Sequence, residues 1–308
     1  MVPPRLTVIQ GATASGKSAL AIALAKAWGA EIIGADSMQV FDAMQIGTAA
    51  PSLGERDGVT HHLIGCWQAN EAVSAARWSA AVDVLLAERP QQPFIIVGGS
   101  NMWIRLWLQG LVDAPAADDE VRRQLDGLSS DELAAKLRHV DPQSAEKIHS
   151  NDRYRMLRAL AHFETTGMSL AAARSEHGWG EQRYRVLRLA LLPQRAWLHA
   201  RIERRAEMMY AEGLLTEALS LRQRFGEIQP LKVLGYRDAL ALADGRISAD
   251  EALRLTQRDT RRYARNQETW IRKDGAHVMG GAGTMKERSA DSLAAEVIEA
   301  LAAGGLPF

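Results

Sequence analysis

Gly11-Ala12-Thr13-Ala14-Ser15-Gly16-Lys17-Ser18 fits the phosphate-binding pattern G-x-x-x-x-G-K-[ST], with Gly11, Gly16, Lys17 and Ser18 at its fixed positions. Upstream, Leu6-Thr7-Val8-Ile9 is apolar and β-branched, which predicts a buried strand. Downstream, Ala19–Ala25 consists of strong helix formers. In a strand–loop–helix frame the glycines let the backbone wrap a phosphate while N–H groups of the opening helix point at it. Lys17 adds a mobile cation, and the Ser18 hydroxyl can ligate Mg²⁺. The loop predicts a bound phosphorylated substrate. It is shared by nucleotide- and ATP-binding proteins, kinases and some transferases, so it does not name the reaction.

Composition narrows the class. The chain has 308 residues, 47% of them apolar, enough for one large domain or two. Lys plus Arg and Asp plus Glu number 37 each, so no global positive field announces a nucleic-acid partner. The single cysteine, Cys66, excludes an internal disulfide framework and a multi-cysteine zinc site, and it is expected to be a small packed residue. No apolar run approaches the roughly 18 residues of a membrane span, and no signal-peptide pattern precedes the first strand, so a soluble, cytoplasmic protein is expected.

Further apolar runs at Glu31–Ala35, Pro93–Gly98 and Val186–Leu192, with a short one at His277–Met279, predict additional parallel strands. With helical stretches between them, the fold class is α/β: a P-loop NTPase-like parallel sheet flanked by helices. Residues 116–180 interrupt it, being charged and helix-prone over Asp119–Leu128, Ser130–His139 and Asp152–Thr165, and they predict a helical insertion domain. The expected division is therefore 1–115 for the first part of the core, 116–180 for the insertion, and 181–308 for the rest of the core and the C-terminal helices. Between Arg195 and Ile271 the chain is helical, with Gly213, Gly226, Gly235 and Gly245 as expected stops. Ala302–Phe308 is expected to fray.

A second constellation lies just past the predicted second strand, in Ala35-Asp36-Ser37-Met38-Gln39-Val40. In open α/β sheets the carboxyl ends of the strands line the ligand crevice, so Asp36 should face the phosphate loop. Asp36 suits a metal ligand, a general base or a helix cap, while Met38 and Val40 read as packing residues. The third strand ends in Gly98-Gly99-Ser100, which brings two permissive residues and a hydroxyl to the same edge.

An ordered set of motifs runs through nearly the whole chain. It comprises the loop at 11–18, Ala35–Phe41, Ile46-Gly47-Thr48-Ala49, His61-His62-Leu63, Val97–Ser100, Val140-Asp141-Pro142, Asn151-Asp152 with Arg155 and Arg158, and Thr166-Gly167. It continues with Arg201-Ile202, Arg205 and Met209, then Gly235-Tyr236-Arg237, then Thr260–Ala264 leading to Gln267 and Trp270. This set resembles the bacterial tRNA dimethylallyltransferases of the IPP transferase family. The resemblance implies transfer of a dimethylallyl group from dimethylallyl diphosphate to N6 of the adenosine 3′ to the anticodon, with release of diphosphate. It implies Asp36 as general base, Arg205 and Lys17 as diphosphate-binding cations, and Ser100 where the family usually has threonine. Gly11, Ala12, Thr13, Ala14, Ser15, Gly16, Lys17 and Ser18 would cradle the diphosphate, with Mg²⁺ at Ser18.

By the same resemblance the tRNA is contacted by Asp36, Ser37, Met38, Gln39, Ser100, Arg122, Tyr154, Arg155, Met156, Leu157, Arg158, Lys232, Val233, Leu234, Gly235, Tyr236 and Arg237. The helical insertion would act as an anticodon-loop clamp on a monomeric enzyme. Arginines also cluster at Arg153–Arg158 and Arg258–Arg265, a composition suited to phosphate and exposed-base contact and equally to solvated helix faces. The chain departs from the family pattern at Phe41, Ala50, Asn101-Met102-Trp103 and Asn266. Three other readings use the same loop: a small-molecule or nucleotide kinase, a transferase prenylating free adenine nucleotides, and a non-catalytic RNA-binding protein.

Overall fold

The computed structural model describes residues 3–110, 119–177, 182–279 and 289–306. They form two compact units, one made of residues 1–105 and 184–308 and the other of Leu106–Arg183. The boundaries expected at 115/116 and 180/181 fall outside the described residues.

In the first unit Leu6–Gly11 forms β1, buried along its whole length, as a near-continuous apolar run in a covered parallel sheet should be. It is followed by α1 (Lys17–Trp28), β2 (Glu31–Gly34), β3 (His61–His62), α2 (Ala75–Glu88), β4 (Phe94–Gly98) and the start of α3 (Asn101–Gln109). The helices α4 (Asp119–Asp126), α5 (Ser130–Val140), α6 (Pro142–Lys147), α7 (Arg153–Thr166) and α8 (Leu170–His177) belong to the second unit. The first unit resumes with β5 (Leu187–Leu191), α9 (Arg195–Glu212), α10 (Leu214–Phe225), α11 (Tyr236–Ala243), α12 (Ala249–Lys273), β6 (His277–Val278) and α13 (Ala290–Ala302).

The described strands form one parallel sheet in the order β3-β2-β4-β1-β5-β6. Register places the site. Gln10 of β1 is level with Gly98 of β4, and Val97 of β4 with Gly34 of β2. The segments that leave these three strands, carrying the 11–18 loop, Ser100 and Asp36, therefore start from one edge of the sheet. Leu20, Leu24, Leu293 and Val297 of α1 and α13 bury one face of the sheet against Ile9, Ile32, Ile95 and Leu189. Each large apolar side chain buried in this way contributes roughly 1.5–3 kcal/mol.

The second unit holds no strand among its described residues. Leu125, Leu133, Leu137, Met156 and Leu160 form its core. Its helices start on side-chain caps: Ser129 and Glu132 make a reciprocal capping box on α5. The buried Asp141 carboxylate accepts from Ser144 N at 3.1 Å and from Ala171 N at 3.2 Å, so it fixes the starts of both α6 and α8.

Three expectations are corrected and one strand is added. The edge strand β3 was not anticipated, because its two histidines form no apolar run and it exists only through pairing with β2. Gly235 starts α11 at φ 83° instead of ending a helix. Cys66 is exposed, not packed, and partial desolvation holds its thiol up at about 11. The tail does not fray throughout, since Leu306 is buried in the sheet core.

Candidate active site

The loop after β1 turns on two left-handed residues, Ala14 at φ 63° and Gly16 at φ 93°. The first costs an L residue roughly 1–2 kcal/mol, so the surrounding packing must hold it. Ala12 and Ala14 are buried against Leu198 and Ile202 of α9 and Ala264 of α12. Arg201 Nε donates to Ala14 O at 2.9 Å, and one turn further along α9 Arg205 Nη1 donates to Thr13 Oγ1 at 3.3 Å. From α12, the buried Gln267 accepts from Thr13 N through Oε1 at 2.9 Å and donates through Nε2 to Gly99 O at 3.0 Å. One amide thus ties the phosphate loop to the segment that follows β4.

Glycines at the end of β4 permit that approach. A Cβ on Gly98 would lie 1.9 Å from Ala35 O, and one on Gly99 would lie 2.2 Å from Gln267 Nε2. The backbones that carry Asp36 and Ser100 can therefore run side by side. Ser100 Oγ accepts from Ser37 N at 2.9 Å, and Ser100 N donates to Ala35 O at 3.1 Å. Asp36 Oδ1 accepts from Met38 N at 3.0 Å and more loosely from Gln39 N at 3.4 Å. The carboxylate is aimed by its own turn through Oδ1.

The charges interact. Desolvation lowers Lys17 to about 8, with Asp36 opposing the shift and Arg205 adding to it. Arg205 is lowered by desolvation and by Arg201, against the pull of Asp36 and Glu55. Tyr263 is raised by desolvation and by Asp36. The site is thus a partly desolvated cation cluster facing one carboxylate, an arrangement that an incoming polyanion stabilises.

Asp36 and Arg205 line a common pocket of about 220 Å³. Its other walls are mainly apolar, with Met38, Ile202, Met209, Val233 and Tyr263 among them. A smaller cavity is lined by Lys17, Ser18, Asp36, Gln39 and His61. Among the described residues no group of three His, Cys, Asp or Glu side chains could hold a metal alone. The exposed Ser18 hydroxyl and the Asp36 carboxylate on this cavity are hard oxygen donors. That donor set fits Mg²⁺, which commonly takes one or two protein oxygens and completes its shell with water and substrate phosphates.

The structure therefore brings together the 11–18 loop, Asp36, Ser37, Ser100 and Arg205, with Met38 and Val233–Tyr236 lining the same pocket. Met38 is a pocket wall and only half-buried, whereas Val40 is core as expected. Gln39 donates to Thr48 O and Ala49 O, both at 3.1 Å. Lys232 is exposed, and Arg237 is exposed but paired with Asp238 and Asp259. Tyr236 is fully buried, so within reach of a ligand it meets only the pocket.

In the helical unit Tyr154, Arg155 and Arg158 are exposed, while Leu157 is half-buried. The side chain of Met156 is not available to a surface partner: it is 1% exposed in that unit's core. Arg122 lies in α4, with its side chain outside the described residues. Of the arginines on α12, Arg258 pairs with Asp259 and Arg261 with Glu203, while Arg262 and Arg265 are exposed. Arg201, Gln267 and Tyr263 are site residues that the sequence offered only as parts of motifs. Gln267 and Thr13 are separated by 254 positions, and no local pattern connects them.

A protein-family model described as IPP transferase matches residues 39–274. The tRNA dimethylallyltransferase 1 of Citrifermentans bemidjiense is 42% identical over 274 residues, covering 88% of this chain and 90% of that protein. The tRNA dimethylallyltransferase of Geobacter metallireducens is 41% identical over 278 residues, covering 88% and 90%. The crystal structure of a full-length tRNA isopentenylpyrophosphate transferase from Bacillus halodurans is 30% identical, with a TM-score of 0.70 over 97% of this chain and 96% of that one. With the family match spanning most of the sequence, this chain belongs to the IPP transferase family.

Proposed function

We propose that the protein transfers a dimethylallyl group from dimethylallyl diphosphate to N6 of the adenosine 3′ to the anticodon of tRNA. The observation that carries this reading is the shared pocket: one carboxylate, Asp36, and one cation, Arg205, on mainly apolar walls. An exocyclic amine is a weak nucleophile and diphosphate is a charged leaving group. The reaction needs both ends served at once.

In the proposed step the N6 lone pair attacks C1 of the allylic chain, and the C1–O bond breaks with its electron pair passing to the diphosphate. The proton released from the amine goes to Asp36, whose Oδ1 is held by the Met38 amide. Arg205, Lys17 and the N–H groups at the start of α1 take up the charge that develops on the diphosphate. Mg²⁺ held by Ser18 would add charge stabilisation on the phosphate oxygens. Apolar walls at Ile202, Met209 and Val233 suit a branched hydrocarbon and exclude water from an allylic centre that hydrolysis would otherwise consume.

The acceptor must leave its stack to enter the pocket, which favours a nucleotide in a loop. Relatives named for tRNA support that acceptor. We assign tRNA contacts to the exposed Tyr154, Arg155 and Arg158 of the helical unit and to Lys232 of the first unit. One chain carries every group the reaction uses, so a monomer suffices. No helix among the described residues is long and apolar enough to cross a membrane, which is compatible with action on tRNA in the cytoplasm. The test is incubation with dimethylallyl diphosphate, Mg²⁺ and unmodified tRNA, followed by mass analysis of the digested nucleosides. A dimethylallyl gain on adenosine is expected; ATP consumption on small substrates with no such gain would make it a kinase.

A further inference from the structure

The Glu217 carboxylate on α10 makes an unusually complete set of bonds. Oε2 accepts from Gln45 N at 3.0 Å and Ile46 N at 2.8 Å. Oε1 accepts from Gly47 N at 3.0 Å and from the Tyr236 hydroxyl at 2.5 Å. A carboxylate has about four lone-pair sites, and all are filled. Three consecutive backbone N–H groups and one phenol are thereby tied to a single side chain.

What it ties together are walls of the pocket. Gly47, Thr48 and Tyr236 all line it, whereas Glu217 does not. Gly47 lies flush against the Tyr236 ring: a Cβ there would come within 2.4 Å of a ring carbon. Burial and Glu217 both hold the phenol protonated, which keeps it a donor. On its far side the same loop is held by Gln39, whose amide donates to Thr48 O and Ala49 O and whose backbone N reaches Asp36 Oδ1. A continuous hydrogen-bonded path therefore runs from Glu217 through the 45–49 loop to the turn that aims Asp36.

We propose that Glu217 is a positioning residue for the transfer reaction, fixing the Gly47–Thr48 and Tyr236 walls so that the acceptor base meets Asp36 and the allylic carbon in register. The role rests on the transfer reading. It differs from general stabilisation because the diphosphate cradle is held from α9 and α12 instead, by Arg201, Arg205 and Gln267. Loosening the wall should harm chemistry and leave the cradle intact.

Glu217→Gln keeps the volume but turns an NH₂ group toward two donors. It is expected to lower kcat by roughly tenfold or more, since a displacement of about 1 Å at a reacting centre is costly. Inorganic diphosphate should bind within about twofold of wild type, because that interaction is separate from the wall. Amide exchange should speed up at Gln45–Gly47 and stay unchanged in α1. Glu212→Gln, the same charge change at an exposed position on α9, should leave turnover as it is. A Glu217→Gln enzyme with kcat within about twofold of wild type would overturn the role. So would losses of diphosphate binding and melting temperature in step with kcat, which mark a merely structural residue. Fast exchange at Gln45–Gly47 in the wild type would overturn it with no variant at all. A wild type that fails to prenylate tRNA overturns the transfer reading, and this role with it; an active wild type leaves the variant to judge the role alone.

Discussion

Lys17 sits at about 8 because desolvation outweighs the pull of Asp36, with Arg205 adding to the lowering. In the free protein its charge is therefore lost as pH rises through that value, and anion binding is then linked to uptake of a proton. Relative to a Lys17→Arg variant, whose side chain stays charged, diphosphate affinity is expected to weaken above about pH 8 by up to tenfold per unit. Titration calorimetry checks this, with Lys17→Arg as the control, since an arginine stays charged and should flatten the slope. At Asp36 the expectation concerns rate: Asp36→Asn should cut turnover by roughly 10²–10⁴ while tRNA binding is largely kept. It should also move the Lys17 transition to lower pH, because the carboxylate that supports the ammonium is gone. Undiminished turnover in that variant would remove the proton acceptor from the mechanism. At this scale the sequence was informative, because the loop at 11–18 and the strand-end position of Asp36 follow from local patterns. The burial of Met156 and the engagement of Tyr236 with Glu217 were not legible, since both depend on neighbours distant in sequence.

Among the elements, α12 does more than its sequence announces. Arginines dominate its composition, yet Arg258 and Arg261 are committed to carboxylates, and the residue that reaches the phosphate loop is Gln267. Replacing it by leucine leaves the Thr13 N–H and Gly99 C=O unpartnered, at about 1–3 kcal/mol for a buried polar group. Gln267→Leu is expected to lower the melting temperature and to weaken diphosphate binding by roughly tenfold, through a loop no longer held in shape. Equal affinity in variant and wild type would show that α9 alone holds the loop. Strands with apolar runs and helices with glycine stops were readable from periodicity. The two-residue β3 and the helix start at Gly235 were not, because an edge pairing and a positive φ carry no hydrophobic signal.

For the molecule as a whole, a net charge of zero hides local asymmetry. Arg155 is 69% exposed and only loosely paired with Asp152 at 3.3 Å, so it is free to exchange that partner for a phosphate. Arg155→Ala should weaken tRNA binding and reduce the slope of log K against log salt by about one, with donor binding unaffected. A filter-binding series in salt reads this directly, and an unaltered slope would mean that Arg155 meets no phosphate. The α/β order and the presence of a helical insert followed from the alternation of apolar runs and their absence across 116–180. The pocket itself did not, since its walls come from β2's exit loop, α9, α11 and α12 and converge only in three dimensions. In this pocket, departure of the diphosphate is coupled to attack by an adenosine of tRNA. The most direct measurement is a single-turnover mass balance, counting diphosphate released and prenylated adenosine formed in the same quenched samples. One of each is expected, appearing at the same rate and only when tRNA is present. Diphosphate released without matching nucleoside, or at an equal rate without tRNA, would contradict it.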